Sequence, residues 1–350
     1  MRNIDFEYYL LDKNDNPKMP LKISKSNKLN NILSGNISYS SLGRLKSSLE
    51  VTMIDIDSSL IDFRTDRINP IVVIDGTPYS LGVFLISSPS RDIDEVNSTR
   101  TLTCYSKLKI LDNDKVVSNY YLPTGANVIN AVIRLLGNNK YKIAACEKTT
   151  STEHEWEIGT AKLDIINDLL DIINYQSLTV DNDGYFTTKE YVSPENREVE
   201  IQYIEGENGV ISAEMTEECD YFDVGNIFVR YTNDVNISPS MVATYPIQTG
   251  DETITIDGEA PNVNVEEVDD VSDVATLYEI AKRDAYNARN IYSHLTFKTA
   301  INPVHGYLNC IEIKCMDIHD KYIETEWSFD LETGALMEHV ARKVVDLDAT

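Results

Sequence analysis

The stretch "EWEIGTAKLDIINDLLDIINYQSLTVDNDGYF", residues 155–186, joins a helical pattern to a hairpin pattern. Its first part repeats apolar residues at the three- and four-residue spacing of one helix face. These residues are Leu163, Ile166, Leu169, Leu170 and Ile173. Thr160 is placed to cap the N-terminus of this helix. Ile165 and Ile172 widen the apolar face, so we expect the helix to be well buried.

The second part continues into "SLTVDNDGYFTTKEYV", residues 177–192, and allows two interpretations. Four residues fall at positions 3, 5, 6 and 12 of a helix–loop–helix calcium loop, namely Asp181, Asp183, Gly184 and Glu190. Such a loop also needs a carboxylate at its first position, where Thr179 stands, and its flanks here are β-branched and aromatic. The pattern therefore favours a β-hairpin turning at Asn182-Asp183-Gly184. "DKNDNP", residues 12–17, resembles the same loop less well, because Pro17 replaces the glycine.

The flanking sequence indicates three parts, although 350 residues alone predict about two domains. Residues 1–112 contain five to seven short strands, including a hairpin at Asp75-Gly76, which is typical of a small barrel or sandwich. Residues 113–200 add a second helix, in which Thr124 is the expected N-cap and Gly137 the expected stop. Residues 201–350 return to strands, with one helix at about 271–291 capped by Ser272 or Asp273. We predict an α+β, mainly β chain with domains 1–112, 113–200 and 201–350.

The net charge of −26 is unevenly distributed. Residues 1–120 carry 15 Lys and Arg against 15 Asp and Glu, whereas residues 121–350 carry 16 against 42. A field of this sign repels nucleic acid, so we expect no specific nucleic-acid binding. The excess has two interpretations: it keeps the protein soluble, or it forms a surface or channel to which DNA must not adhere.

The chain shows no feature of an exported or membrane protein. No apolar run approaches the roughly 20 residues that cross a bilayer, and the N-terminus lacks a signal region. We therefore expect synthesis in the cytoplasm and no membrane association. The five cysteines, at 104, 146, 219, 310 and 315, are widely spaced and odd in number, which favours reduced structural thiols.

No motif in the sequence carries an enzyme's chemistry. The five histidines form no HExxH, and there is no GxSxG, no phosphate-binding GxxxxGK[ST] and no GxGxxG after a strand. "EHEWE", residues 153–157, fits a solvated strand edge better than a metal site. "HGYLNC", residues 305–310, offers a Cys–His pair without an orienting group. We expect a non-enzymatic protein with no catalytic, cofactor-binding or metal-binding residues, and no cofactors.

Several longer stretches resemble the central baseplate hub, or tail-tip adaptor, of long-tailed phages and phage-tail-like bacteriocins. The stretch 155–186 is the most specific, with its Trp…Gly-Thr segment, its "LL…INY" helix and its Asp…Gly hairpin. "YSLGVFLISSPSRDIDEVNSTRTLTCYSKLKILDNDKV" and "YYLPTGANVINAVIRLL" are similar to other parts of that family, as are "YVSPENREVEIQY" and "ECDYFDVGNIFVRY". Near the end, "RDAYNARNIYSHLTFKTAINPVHGYLN" and "EWSFDLETGALMEHVARKVV" extend the resemblance over nearly the whole chain.

The resemblance implies a fold and a role. Domains 1–112 and 201–350 would be two tube-like β-barrels, with 113–200 as an α/β insertion, and three copies would form a pseudo-sixfold ring. That homotrimer would join the sixfold tail tube protein to the central spike or tip protein in a virion tail made in the host bacterium. Its other partners would be distal tail or baseplate proteins and the tape-measure protein. We hypothesise that carboxylates line the channel and stop DNA from adhering.

Two other classes stay open. A tail-associated enzyme that degrades cell walls would need a carboxylate pair or a metal cluster converging in a cleft. Some relatives carry such a hydrolase after the hub, whereas this chain stops at Thr350. A carbohydrate-binding adhesin would need exposed aromatic side chains in a groove. The two tryptophans of this chain, Trp156 and Trp327, are instead expected to lie in strands with their side chains in the core.

Overall fold

The computed structural model describes residues 3–18, 26–55, 61–93, 98–206, 210–219, 225, 227–232, 240–246, 262–268, 274–291 and 293–344. Strand accounts for 49% of the chain and helix for 15%. The protein is therefore mainly β with few helices, which confirms the mainly β part of the predicted fold class.

The contacts within the chain divide it into two compact units. Unit 1 comprises residues 1–191, 298–308 and 325–339, and unit 2 comprises residues 192–297, 309–324 and 340–350. Unit 1 has one core in its strands and a second core among residues 108–186, around its helices. The three-part division with boundaries at 112 and 200 remains a prediction.

Unit 1 begins with eight strands. They are β1 (Ile4–Leu11), β2 (Lys28–Leu29), β3 (Ile32–Ser40), β4 (Ser47–Ile54), β5 (Arg67–Ile74), β6 (Thr77–Ser80), β7 (Phe84–Ile93) and β8 (Ser98–Ser106). Buried and accessible residues alternate along β4, β5 and β8, because one face of the sheet covers the core. The sequence order of the strands is not their spatial order: β4 pairs with β8, and β1 pairs with β5.

The helical part of unit 1 contains three helices and five short strands. They are α1 (Leu108–Asn113), β9 (Tyr120–Leu122), α2 (Val128–Leu136), β10 (Tyr141–Lys142), β11 (His154–Trp156), α3 (Lys162–Ile172), β12 (Thr179–Val180) and β13 (Phe186–Thr187). The predicted apolar residues of α3 are buried, apart from Ile172, which is 38% exposed. Ile172 therefore does not widen the buried face as expected; it lies at the end of the helix, whose last turn leaves it in solvent.

Both predicted helix caps are wrong. The N-cap of α2 is Asn127, whose side chain accepts a hydrogen bond from the Asn130 N–H at 2.9 Å. The N-cap of α3 is Ala161, because the Thr160 hydroxyl donates instead to the Glu157 carbonyl. Gly137 ends α2 with φ of 60°, as predicted.

Two predicted hairpins are confirmed. In the first, β5 and β6 turn at Asp75 and Gly76, which have φ of 50° and 82°. In the second, β12 pairs antiparallel with β13 around the 181–184 turn. Both turns use residues that tolerate positive φ, which is why the sequence signal is local and strong.

The remaining elements lie wholly or partly in unit 2. They are β14 (Ile201–Ile204), β15 (Ile211–Cys219), β16 (Ile227–Tyr231), β17 (Val242–Pro246), β18 (Val263–Glu267), α4 (Val274–Ile291), β19 (Ser293–Ala300), β20 (Cys310–Cys315), β21 (Ile318–Asp330) and β22 (Leu336–Lys343). Strands β19, β21 and β22 contribute residues to both units. The helix expected at 271–291 is α4, while its proposed caps, Ser272 and Asp273, lie outside the described residues.

The expected tube-like barrels are not closed barrels in the single chain. Among the described residues, the strand order of each sheet has free ends, so no first strand pairs with a last one. A barrel needs an unbroken ladder around its circumference. In unit 1, however, β2 has only two residues, and β5 pairs with β7 only at Arg67↔Leu85 and Ile68↔Phe84.

Candidate functional site

The acidic 181–184 turn binds a lysine of its own chain. Asp181 Oδ1 accepts the N–H groups of Asp183 and Tyr185, which closes the turn. Asp181 Oδ2 and Asp183 Oδ2 lie 2.7 and 3.1 Å from Lys142 Nζ. Glu190 pairs separately with Lys148 at 2.6 Å. The carboxylates that mimic a calcium loop are thus held by ammonium groups, and hydrogen bonding to Asp181 raises the pKa of Lys142.

The other calcium-like turn, 12–17, supplies a buried carboxylate to a charged cluster. Asp15 contacts Arg67 Nη1 through Oδ1 and Lys107 Nζ through Oδ2, the latter at 2.8 Å. All three side chains are 9% exposed or less. Lys107 Nζ also donates to the Gly184 carbonyl at 2.6 Å, so one lysine contacts both acidic turns. Burial lowers the pKa of Lys107, although the hydrogen bond with Asp15 opposes that shift. The cluster ties four segments of unit 1 together.

The "EHEWE" segment contains strand β11, and its three glutamates are exposed, as expected of a solvated edge. Glu153 accepts from the Tyr121 hydroxyl and Glu155 from the Asn119 amide. His154 and Trp156 share the other face, with ring centroids 5.8 Å apart. The carboxylates of Glu153 and Glu155 are thus bonded to different side chains, and Glu157 is exposed to solvent. Among the described contacts, nothing directs the three carboxylates toward one shared ligand position.

The 305–310 segment contains a histidine and a cysteine, which lie in different units. Cys310 is a buried free thiol in unit 2, and burial raises its pKa. Burial also raises the pKa of Cys315, and that of Cys104 to about 12. A thiol in this state is a poor nucleophile. His305 in unit 1 lies beside His339, with ring centroids 5.0 Å apart and ring planes tilted by 45°, and His339 Nε2 lies 2.7 Å from Thr299 Oγ1.

Sequence inspection missed this histidine pair and the Asp15 cluster. No spacing rule joins His305 to His339, or Asp15 to Lys107, since 92 residues separate the latter two. The only sequence signal near Asp15 was the 12–17 turn, which resembles a calcium loop but has Pro17 in place of the glycine. That signal argued against calcium binding and did not identify the partners of Asp15. The expectation of no catalytic, cofactor-binding or metal-binding residues remains a prediction.

The net charge is concentrated in unit 2. Its residues include 28 Asp and Glu against 9 Lys and Arg, so 19 of the 26 net negative charges belong to it. The excess of acidic residues is large in the stretch 231–281, which has 11 Asp and Glu and no Lys or Arg. A partner that approaches unit 2 therefore meets a net negative charge.

Unpaired strand edges are the other prominent feature. Strand β7 pairs along its length with β8, but beyond Leu85 no described strand pairs with its other side. Strand β15 likewise has one described neighbour, β19. Exposed strand edges present unpaired N–H and C=O groups, which another chain can pair with. These edges and the acidic field make up the candidate functional surface, which is suited to assembly with other proteins.

Comparison with known proteins shows that the fold resembles that of phage tail proteins. No protein-family model matches the sequence, and no curated protein matches it. Solved structures do match, and they are tail proteins and components of a related secretion machine. The predicted resemblance is thus confirmed at the level of the fold. Among the described residues, no helix is both long and apolar enough to cross a membrane.

Three solved structures illustrate the match. A tail protein from Neisseria meningitidis MC58 has a TM-score of 0.70 at 12% identity, covering 97% of this chain and 96% of that chain. The 43-kDa tail protein of prophage MuSo2 from Shewanella oneidensis has a TM-score of 0.66 at 11% identity, covering 98% and 99%. The E. coli c3393 protein, a type VI secretion component described as similar to the T4 tail proteins gp27 and gp5, has a TM-score of 0.51 at 9% identity, covering 91% and 75%.

Proposed function

We propose that this chain is a structural baseplate hub of a phage tail or a tail-like particle. The observation that carries the proposal is the match to the Neisseria tail protein over nearly the full length of both chains. The resemblance of the type VI secretion component extends the proposal to tail-like machines. The role is non-enzymatic: the chain positions other proteins by its shape.

In this proposal, three copies form the ring that the single chain leaves open. Among the described residues, β7 beyond Leu85 and β15 each have one edge without a pairing strand, which supports the proposal because pairing between neighbouring copies would satisfy these backbone groups. Each copy would contribute two tube-like domains, 1–112 and 201–350, and the 113–200 insertion would lie on the outside of the tube or at a junction. The ring would contact the tail tube protein on one side and the spike or tip protein on the other, with distal tail, baseplate and tape-measure proteins as further partners.

The same proposal gives the excess of acidic residues a function. Carboxylates of unit 2, which carries most of the net charge, would line the channel and repel passing DNA. A surface-charge map of the assembled ring tests this part. A neutral or basic bore would contradict it, and the excess would then serve solubility.

Negative-stain images and the mass of the purified full-length protein test the assembly. We expect three-lobed rings with a central hole and a mass three times that of the chain. Substituting Ile93→Lys, at an exposed position in β7, should lower the assembled fraction, whereas Val117→Lys, exposed and outside any described strand, should not. A protein that stays single at about 100 μM, even when mixed with its tail tube protein, would overturn the hub role.

A further inference from the structure

Three buried side chains that can ligate a metal lie together in the part of the chain that the structure describes. They are His305, Glu324 and His339, and one ligand atom of each lies within 4.8 Å of the other two. The three residues are 3%, 2% and 0% exposed. Burying such groups is costly unless hydrogen bonds, an opposite charge or a metal ion compensates for the lost water. The nature of that compensation therefore decides what the cluster does.

The two histidines have the separation of two imidazoles on one tetrahedral ion. Their ring centroids are 5.0 Å apart, and their planes are tilted by 45°. An imidazole nitrogen lies about 2.05 Å from a bound Zn²⁺, which places the ring centroid about 3.2 Å from the ion. Two such rings at the tetrahedral angle have centroids about 5.2 Å apart. The observed spacing is close to this value.

The hydroxyl of Thr299 fixes the state of the His339 ring. Thr299 Oγ1 donates its hydrogen to the Ala300 carbonyl at 3.0 Å, so it accepts from His339 Nε2, which lies 2.7 Å away. The proton on Nε2 leaves the lone pair of the neutral ring on Nδ1, as a metal ligand requires. A hydrogen bond from the other ring nitrogen is the usual way in which metal-binding histidines are oriented.

The main chain holds Glu324 in place on both sides. Glu324 belongs to the unbroken strand β21, and its N–H donates to the Asn309 carbonyl at 2.9 Å. The carbonyl of the next residue, Thr325, accepts the Ser41 N–H at 2.7 Å. The cluster therefore has a carboxylate on a fixed backbone, beside two imidazoles.

A metal ion accounts for all three side chains at once. A buried ion pair with Glu324 would need only one histidine, and two protonated imidazoles at this distance would repel each other. A divalent ion compensates the carboxylate and uses both rings, and two imidazoles with one carboxylate are an established Zn²⁺ ligand set. Ligand atoms around tetrahedral Zn²⁺ lie about 3.3 Å apart, so small side-chain rotations would complete the coordination.

We propose that His305, Glu324 and His339 bind one structural Zn²⁺ ion, with a water molecule as the fourth ligand. The ion has a structural role because ligands that are 3% exposed or less leave a substrate no access to it. It would fasten β21 and β22 to the segment that contains His305. The proposal departs from the sequence-based expectation of no metal-binding residues, because no short motif joins these three positions. It does not rest on the hub role.

The test uses the full-length protein without a histidine tag, dialysed against a chelator and then loaded with Zn²⁺ in about 5 mM Mg²⁺. The Mg²⁺ occupies surface carboxylates, which are abundant in a chain of net charge −26. We expect elemental analysis to find one Zn²⁺ per chain. The unfolding midpoint should rise by about 5 °C or more when Zn²⁺ exceeds its dissociation constant about 100-fold. X-ray absorption at the zinc edge should count two imidazole ligands.

Variants assign the ion to the cluster. His305→Gln and Glu324→Gln each remove one ligand but keep a side chain that can form hydrogen bonds. Each should weaken Zn²⁺ binding about 100-fold or more and abolish the rise in midpoint. The matched control is His319→Gln, because His319 is exposed in the same strand as Glu324, and it should bind like the parent. If a ligand variant does not fold, the imidazole count of the parent still decides.

Three results would overturn the proposal. A parent protein that holds no Zn²⁺ at about 1 μM free metal would show that hydrogen bonds alone satisfy the cluster. An imidazole count of zero would place the ion on surface carboxylates. Full binding by a folded His305→Gln variant would place it elsewhere. Zinc binding without three-lobed rings would count against the hub role alone.

Discussion

At the scale of single residues, Asp15 is the most consequential side chain that local sequence patterns did not identify. It lies between two buried cations, Arg67 and Lys107, and it adopts a φ of 62° that few non-glycine residues tolerate. Removing one partner of a buried ion pair leaves uncompensated charge in a region of low dielectric, which costs more than the pair itself contributes.

We therefore predict that Asp15→Asn destabilises the protein by about 3–5 kcal/mol. Asparagine keeps the shape and the left-handed backbone, so the loss reports the charge. The measurement is denaturant unfolding of the variant against the parent. The control, Asp183→Asn, removes a 67%-exposed partner of Lys142 and should cost less than about 1 kcal/mol. Similar losses for the two variants would show that the Asp15 cluster is solvated.

Lys46 provides a pH-dependent prediction. Its ammonium donates to the Ser41 carbonyl at 2.5 Å and lies 5.3 Å from the ring centroid of Tyr307, and burial lowers its pKa from 10.5 to about 8. Between these two values the unfolded chain binds a proton that the folded chain does not. The folded state therefore gains stability from this group as pH rises from about 8 to about 10.5.

The measurement is the unfolding free energy of the parent minus that of Lys46→Met, taken at several pH values. This difference should rise from about pH 8 to about pH 10, because other titrating groups cancel. The control is Lys142→Met, since hydrogen bonding to Asp181 raises the pKa of Lys142. Its difference should stay level over this range and fall only at higher pH. A level Lys46 difference would mean that the ammonium is hydrated.

At the scale of elements, helix α2 shows how tertiary contacts choose among plausible caps. Thr124 and Asn127 both have side chains that cap helices. Asn127 is selected because its amide also donates to the Cys146 carbonyl at 2.6 Å, which fixes the side chain beside the helix start. Thr124 is exposed, and it lies three residues before the N-cap.

We predict that Asn127→Ala costs about 1–2 kcal/mol, since it removes the cap and leaves the Cys146 carbonyl without this donor. Thr124→Ala should cost less than about 0.5 kcal/mol. Urea unfolding followed by far-UV circular dichroism measures both changes. Equal effects of the two substitutions would indicate that Asn127 does not act as the cap.

The same contrast appears in the turns and helix faces. The hairpins at Asp75-Gly76 and at 181–184 were predictable because positive φ restricts the residue types that fit. The buried face of α3 was predictable from its period, but the exposure of Ile172 was not. Whether the last turn of a helix is covered depends on what packs beside it, and periodicity carries no information about that.

At the scale of the whole molecule, net charge opposes the proposed assembly. Each copy carries −26, so copies that approach one another repel over distances comparable to the Debye length, about 10 Å at 0.1 M salt. Apolar contacts and backbone pairing at strand edges must then hold the ring together.

We predict that the assembled fraction rises when salt is raised from about 0.05 to about 0.3 M, because screening reduces the repulsion. Light scattering at a fixed protein concentration measures the mass, and the unfolding midpoint is recorded in the same buffers to separate assembly from stability. Dissociation at the higher salt would show that ion pairs between copies hold the ring instead.

The sequence alone was enough to predict much of the fold class and the charge distribution. The mainly β composition, the two helices of the middle segment, both hairpins and the uneven charge follow from residues close together in the chain. Each depends on a periodicity, on a turn that restricts φ, or on a count. The resemblance to tail proteins came from the same local segments and agrees with the fold.

Folding alone determined which distant residues meet. Asp15 reaches Arg67 and Lys107 across 52 and 92 residues, and Lys142 reaches Asp181 across 39. The openness of the sheets among the described residues likewise depends on which strands pair. Such partners are brought together only when loops close and sheets form. The sequence around a carboxylate is the same whether folding brings it next to a lysine, a calcium ion or water.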